Sequence, residues 1–135
     1  MQTISHDDTG RIADVLMHFS STRAVWLFGS VARGRSGPES DVDVAVLPRG
    51  SSEKFPLLEA YAALVEAGLE RVDLAVLGER DLVLRFEAVR HARLLRRAPD
   101  FDAGDYFSRT IREYFDFEPI LRIQRAAMKR RYGAA

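Results

Sequence analysis

Between Leu27 and Leu47 the chain reads LFGSVARGRSGPESDVDVAVL, and two features there could act together: a Gly29-Ser30 turn and an Asp41-x-Asp43 pair. Carboxylates on alternate positions of a strand project from one face, with Cα atoms roughly 6.7 Å apart, while Val42, Val44 and Val46 project from the other. Two ionised carboxylates so close repel each other, and a divalent cation between them relieves the repulsion. Mg2+, which prefers oxygen ligands, suits the pair. The turn supplies the complementary half. Glycine lets backbone approach a ligand closely, and the free N–H groups of a helix start, with the Ser30 hydroxyl, hold phosphate oxygens. Arg33 either adds positive charge there or pins the loop.

A third carboxylate repeats the pattern. Arg71-Val72-Asp73-Leu74-Ala75-Val76-Leu77 places Asp73 on one face of a strand and Val72, Leu74 and Val76 on the other. If the two strands are neighbours, Asp73 joins the pair.

The elements that must position these residues follow from hydrophobic spacing. Ile12, Val15, Leu16 and Phe19 mark an amphipathic first helix, capped near Asp8 or Thr9. The continuous apolar run Val25-Trp26-Leu27-Phe28 reads as a buried strand that gives way, after Gly29-Ser30, to a short helix at Val31-Ala32-Arg33-Gly34. Pro48-Arg49-Gly50-Ser51-Ser52 closes the Asp-x-Asp strand. Phe55, Leu58, Tyr61, Ala62, Val65 and Leu69 follow helical spacing, with Gly68 near the helix end. Leu82, Phe86 and Val89 suggest another helix, and residues 91–97 a last strand ended by Ala98-Pro99. The expected fold class is α+β: a small mixed β-sheet with helices in two layers.

Gly29-Ser30, ten intervening residues, Asp41-x-Asp43 and the later Asp73 together resemble the signature of the DNA polymerase β-like nucleotidyltransferase superfamily. The short length and the Gly-Ser-Val-Ala-Arg-Gly wording are similar to the minimal nucleotidyltransferases, the MNT antitoxins paired with HEPN-domain toxins. The resemblance covers residues 23 to 98 and implies transfer of a nucleoside monophosphate from a nucleoside triphosphate to a hydroxyl. For the antitoxin branch it implies AMP from ATP placed on a tyrosine of a HEPN ribonuclease. It assigns Asp41, Asp43 and Asp73 to catalysis and metal binding, with Asp73 helping to activate the incoming hydroxyl, and Gly29 and Ser30 to the triphosphate. Arg33 joins the nucleotide-binding set. Two Mg2+ ions about 4 Å apart would serve such an in-line displacement.

Composition narrows the alternatives. A chain of 135 residues with 47% hydrophobic content suits one nucleotidyltransferase domain, expected over residues 1–98, and a C-terminal helical extension over 99–135. That extension carries a possible apolar stripe (Phe107, Ile111, Tyr114, Phe115, Ile120, Leu121, Met128) broken or kinked at Pro119, which packs on the domain or on a partner. Twenty basic and twenty acidic residues cancel, so no strong field draws nucleic acid or anionic membrane, and direct nucleic-acid binding is not expected. Absent cysteine excludes disulfides and thiolate metal sites, and no apolar run or leader points to membrane or secretion; the cytoplasm is the expected setting.

Several residues read as ordinary. His6, His18 and His91 lack paired ligand spacing, Ser5-His6-Asp7 is adjacent sequence and not a triad, and Tyr61, Tyr106, Tyr114 and Tyr132 read as packing residues. Two other functions stay open: an antitoxin that binds its toxin without catalysis, and a small-molecule nucleotidyltransferase. The latter class carries extra material to shape an acceptor pocket, for which the short tail leaves little room.

Overall fold

Three consecutive valines at even positions decide the centre of the molecule. In the computed structural model, which describes residues 6–28 and 41–131, Val42, Val44 and Val46 are fully buried on strand β2 (Val42–Pro48), whereas Asp41 and Asp43 are exposed. Period-two alternation therefore does what the spacing predicts: the apolar face turns inward and the acidic face outward. Burying each such valine contributes about 1.5–3 kcal/mol.

Strand β1 (Thr22–Leu27) runs antiparallel to β2, with Leu27 opposite Val44 and Trp26 opposite Ala45. Strand β3 (Val72–Val76) runs parallel to β2 on its other side, and β4 (Arg93–Arg97) runs antiparallel to β1, giving the order β3-β2-β1-β4. The sheet is mixed and carries helices, as expected for the α+β class. Only the β2-to-β3 connection is parallel and needs a crossover helix.

Helix α1 (His6–Met17) and helix α2 (Leu57–Glu66) supply that cover. Ile12, Ala13 and Leu16 from α1, and Ala60 and Leu64 from α2, pack in one cluster with Val25, Leu27, Val42, Val44, Val46, Val72 and Leu74. The opposite face of the sheet buries Ala24, Trp26 and Ala45, with Trp26 set edge-on to Phe101 at 6.0 Å between ring centres. Helix α3 (Leu82–His91) buries Arg85, Phe86 and Ala88.

The end of α2 is a designed stop. Gly68 has φ +79°, Leu69 N–H donates to Leu64 O at 2.8 Å, and Gly68 N–H donates to Val65 O at 2.9 Å. A left-handed residue followed by this bond pair, with Leu64 and Leu69 packed together in the core, forms a Schellman termination that turns the chain back toward β3.

Three local expectations are corrected. Helix α1 already includes His6, so Asp8 and Thr9 lie inside it, and Asp8 pairs with Arg11 one turn on, at 3.3 Å. On α2 the buried residues are Ala60 and Leu64, while Leu58 is 79% and Val65 53% exposed. Pro56 starts that helix later than the spacing suggested, so Phe55 lies before it, and the inward face falls one position away from the Leu58/Val65 row. His91 closes α3, Ala92 is its C-cap, and β4 begins only at Arg93. The short helix expected at residues 31–34 lies outside the described residues.

Contacts divide the chain after Phe101 into a first unit, residues 1–101, and a second, residues 102–135. The second unit is built on helix α4 (Ala103–Arg131), capped by the Asp102 carboxylate accepting from Asp105 N–H at 2.9 Å. Of the break or kink expected at Pro119, the break is absent: the helix continues through that residue. Arg122 and Glu118 pair one turn apart at 2.7 Å, and Lys129, Arg130 and Arg131 occupy the last turn, where the helix dipole favours cations. No described helix is long and apolar enough to cross a membrane.

Candidate active site

Parallel pairing of β2 and β3 sets Asp43 opposite Asp73, with Val42 opposite Val72 and Val44 opposite Leu74. Residues in register share a face, so the two carboxylates stand side by side on the exposed side while their valine and leucine neighbours enter the core. Asp41 sits one residue before β2, two positions upstream of Asp43 and also exposed. The three acidic residues singled out by spacing are thus drawn to one corner of the sheet.

Electrostatics reports the same convergence. The Asp43 carboxyl is held above its ordinary range by burial first, then by the negative charges of Asp73 and Asp41. Among the described residues, no ion pair neutralises any of the three. Nor do three His, Cys, Asp or Glu side chains among those residues stand at separations that would close on one ion. Backbone register, and not a closed chelate, relates the members of the set. Its donors are all hard oxygens carrying excess negative charge, which is the chemistry Mg2+ requires, so the residues fit such an ion.

Gly29, Ser30 and Arg33 lie outside the described residues. The last residue before them, Phe28, donates its N–H to Asp43 O at 2.8 Å, so the β1 end is tied to the strand position that carries the central carboxylate.

One residue near the acidic set was read from spacing as packing alone. Tyr61 of α2 is half-buried against the core, and its hydroxyl accepts from Leu74 N–H at 2.8 Å and donates to Asp73 Oδ1 at 3.4 Å. An amphipathic ring with a polar tip is the only sequence signal of such a role.

A cleft of about 530 Å3 opens elsewhere, between α1 and β4, lined by Gly10, Arg11, Asp14, Arg93, Leu95 and Arg96 among others. Two of its three arginines are engaged locally: Arg11 with Asp8, and Arg96 with Asp14 at 3.2 Å. It has none of the carboxylate set, and concavity does not locate the chemistry here. Far from the acidic corner, Arg49 at the end of β2 holds Asp100 with two bonds of 2.8 and 3.0 Å.

Comparison with known proteins agrees with this geometry. The family model described as polymerase beta nucleotidyltransferase matches residues 10–100. No curated protein matches the sequence. Among solved structures, a chain of a toxin–antitoxin complex with AMP-PNP is 25% identical, with a TM-score of 0.69 over 93% of this chain and 98% of that one. A chain of a variant MntA–HpeT toxin–antitoxin complex is likewise 25% identical, with a TM-score of 0.68 and the same coverage. A chain from the complex of tri-AMPylated Shewanella oneidensis HEPN toxin with MNT antitoxin shares the fold at 22% identity and a TM-score of 0.60, covering 95% of each chain.

Proposed function

The chain belongs to the polymerase beta nucleotidyltransferase family, and on that premise we propose that it is the antitoxin of a toxin–antitoxin pair, transferring AMP from ATP to a tyrosine hydroxyl of a HEPN ribonuclease toxin with Mg2+. The observation that carries this reading is the register of Asp43 with Asp73, with Asp41 close enough to raise the Asp43 pKa. Three carboxylates without a counter-charge repel one another, and a divalent cation relieves that repulsion. The toxin–antitoxin complex that binds AMP-PNP, similar over nearly the whole of both chains, supports ATP as the donor.

In this reading Asp41, Asp43 and Asp73 hold the divalent cations. When bound, these supply charge neutralisation at the triphosphate and make the acceptor hydroxyl more acidic. Gly29 and Ser30 grip phosphate oxygens through backbone N–H groups and a hydroxyl, and Arg33 adds charge beside them. Asp73 orients the incoming tyrosine hydroxyl and takes its proton as the tyrosine oxygen bonds to the α-phosphorus. The bond to the bridging oxygen breaks, and pyrophosphate leaves. The protein's part is to position and to balance charge.

The second unit, whose boundary we place near residues 99–102, supplies partner contact. Phe107, Phe115, Phe117, Ile120, Ile123 and Met128 are exposed on α4, which offers apolar side chains to a partner. A small protein of this kind acts in the cytoplasm beside its toxin.

The test is incubation with α-labelled ATP, Mg2+ and the HEPN protein encoded beside it. A labelled toxin tyrosine and lost ribonuclease activity are expected. An unlabelled toxin under those conditions overturns the reading. The variant D41N/D43N separates catalysis from occlusion: it should bind the toxin and fail to label or silence it, whereas an occluding protein would still silence it.

A further inference from the structure

The edge of the sheet next to Asp73 is closed by a side chain from α2. Val42 N–H donates to Arg71 O and Leu77 N–H to Val46 O, both at 2.8 Å, so residues 71, 73, 75 and 77 turn their backbone groups toward β2. Residues 72, 74 and 76 therefore point theirs away, along the outer edge of β3. Leu74 N–H is one of these outward donors, and Tyr61 Oη accepts it at 2.8 Å. An oxygen that accepts this amide has its own proton free to give, and Asp73 Oδ1 stands 3.4 Å away. The Tyr61 ring is meanwhile fixed against the core through α2.

We propose that Tyr61 is a positioning residue for the acidic site, in which its hydroxyl, fixed by the Leu74 amide on the outer edge of β3, holds one oxygen of the Asp73 carboxylate and leaves the other to the cation. The inference rests on the divalent-cation reading of Asp41, Asp43 and Asp73 given above. Two observations carry it: the chain Leu74 N–H to Tyr61 to Asp73, and the register of Asp73 with Asp43. Like charges side by side push their carboxyl groups apart. One oxygen of Asp73 tethered to a rigid phenol leaves the other directed by the backbone and not by that repulsion. Partners of this outer kind commonly alter metal affinity or activity by about 10–100-fold when removed, and the 3.4 Å bond argues for the lower end.

The test is Y61F, which keeps the ring and removes both bonds. Mg2+ is titrated at saturating ATP, and two signals are read: the rise in melting temperature and the rate of AMP transfer. A roughly tenfold higher Mg2+ midpoint in both is expected, with the KM for ATP at saturating Mg2+ within twofold of wild type. In a D73N background Y61F should leave the midpoint unmoved. A role confined to capping the β3 edge would lower the melting temperature and leave the Mg2+ midpoint where it was, and that result overturns the proposal. Tyr61 ring resonances of the wild-type protein, labelled with 13C-tyrosine, give a second measurement independent of how the variant folds. They should move along the Mg2+ titration, and their standing still also overturns the proposal. Failure of the wild type itself to respond to Mg2+ would instead fall on the parent reading.

Discussion

Asn substituted for Asp43 should make the metal-free protein more stable. Neighbouring strands lie about 4.8 Å apart, so carboxylates in register on one face hold two negative charges at about 5 Å. Both side chains are exposed, which puts the effective dielectric near that of water and the repulsion at about 0.8 kcal/mol. At 0.15 M salt the Debye length is about 8 Å and the repulsion falls to about 0.4 kcal/mol. For a unit of this size 1 kcal/mol corresponds to about 4–8 °C, so D43N should melt about 3–6 °C higher at low ionic strength and about half that at 0.15 M. The gain is also tied to pH. A carboxyl whose folded pKa is raised penalises the folded state only when ionised, so the advantage is full above that raised value and disappears below the ordinary 3.8. Differential scanning calorimetry of wild type, D43N, D73N and D43N/D73N in EDTA checks this, with the coupling energy of the cycle equal to the repulsion. A D43N protein that melts at or below wild type at pH 7 and low salt, or a gain indifferent to salt, refutes the reasoning.

Saturating Mg2+ with ATP at one hundred times Kd should stabilise the wild type by about 2.7 kcal/mol, and thermal melts of D41N/D43N under the same conditions should show less than a quarter of that gain. The Asp100 carboxyl is lowered to about 2 first by its hydrogen bonds from Arg49, so the stabilisation it lends is present above 3.8 and lost as pH falls through about 2. Acid melts should therefore show wild type and D100N converging by pH 2 and separated at pH 5. Replacing Gly68 by alanine forces a Cβ into φ +79°, and urea unfolding should show a loss of about 1–2 kcal/mol, with open space around the site leaving strain as its sole cause.

Some of the fold was legible because short-range periodicity carries it. Val42, Val44 and Val46 alternate with Asp41 and Asp43, and a strand half-buried on one face has no other way to satisfy that pattern. Gly68 was legible as a helix stop because a left-handed turn there excludes side chains. The inward face of α2 was not, since Leu58 and Val65 are as apolar as Leu64 and only the sheet decides which row it meets. Pro119 was read as a break or kink from its missing N–H, and α4 continues past it.

Residue type and spacing alone determined that Asp43 and Asp73 lie on strand faces opposite apolar neighbours, with Asp41 just upstream of the first, because a period of two is a local property of the chain. Only the tertiary structure decided that Asp73 stands beside Asp43: the parallel β2–β3 pairing is set by where α2 and Gly68 return the chain, across about thirty residues. The same crossover brings the Tyr61 hydroxyl to the β3 edge, a contact between a helix and a strand twelve residues away that no local pattern encodes.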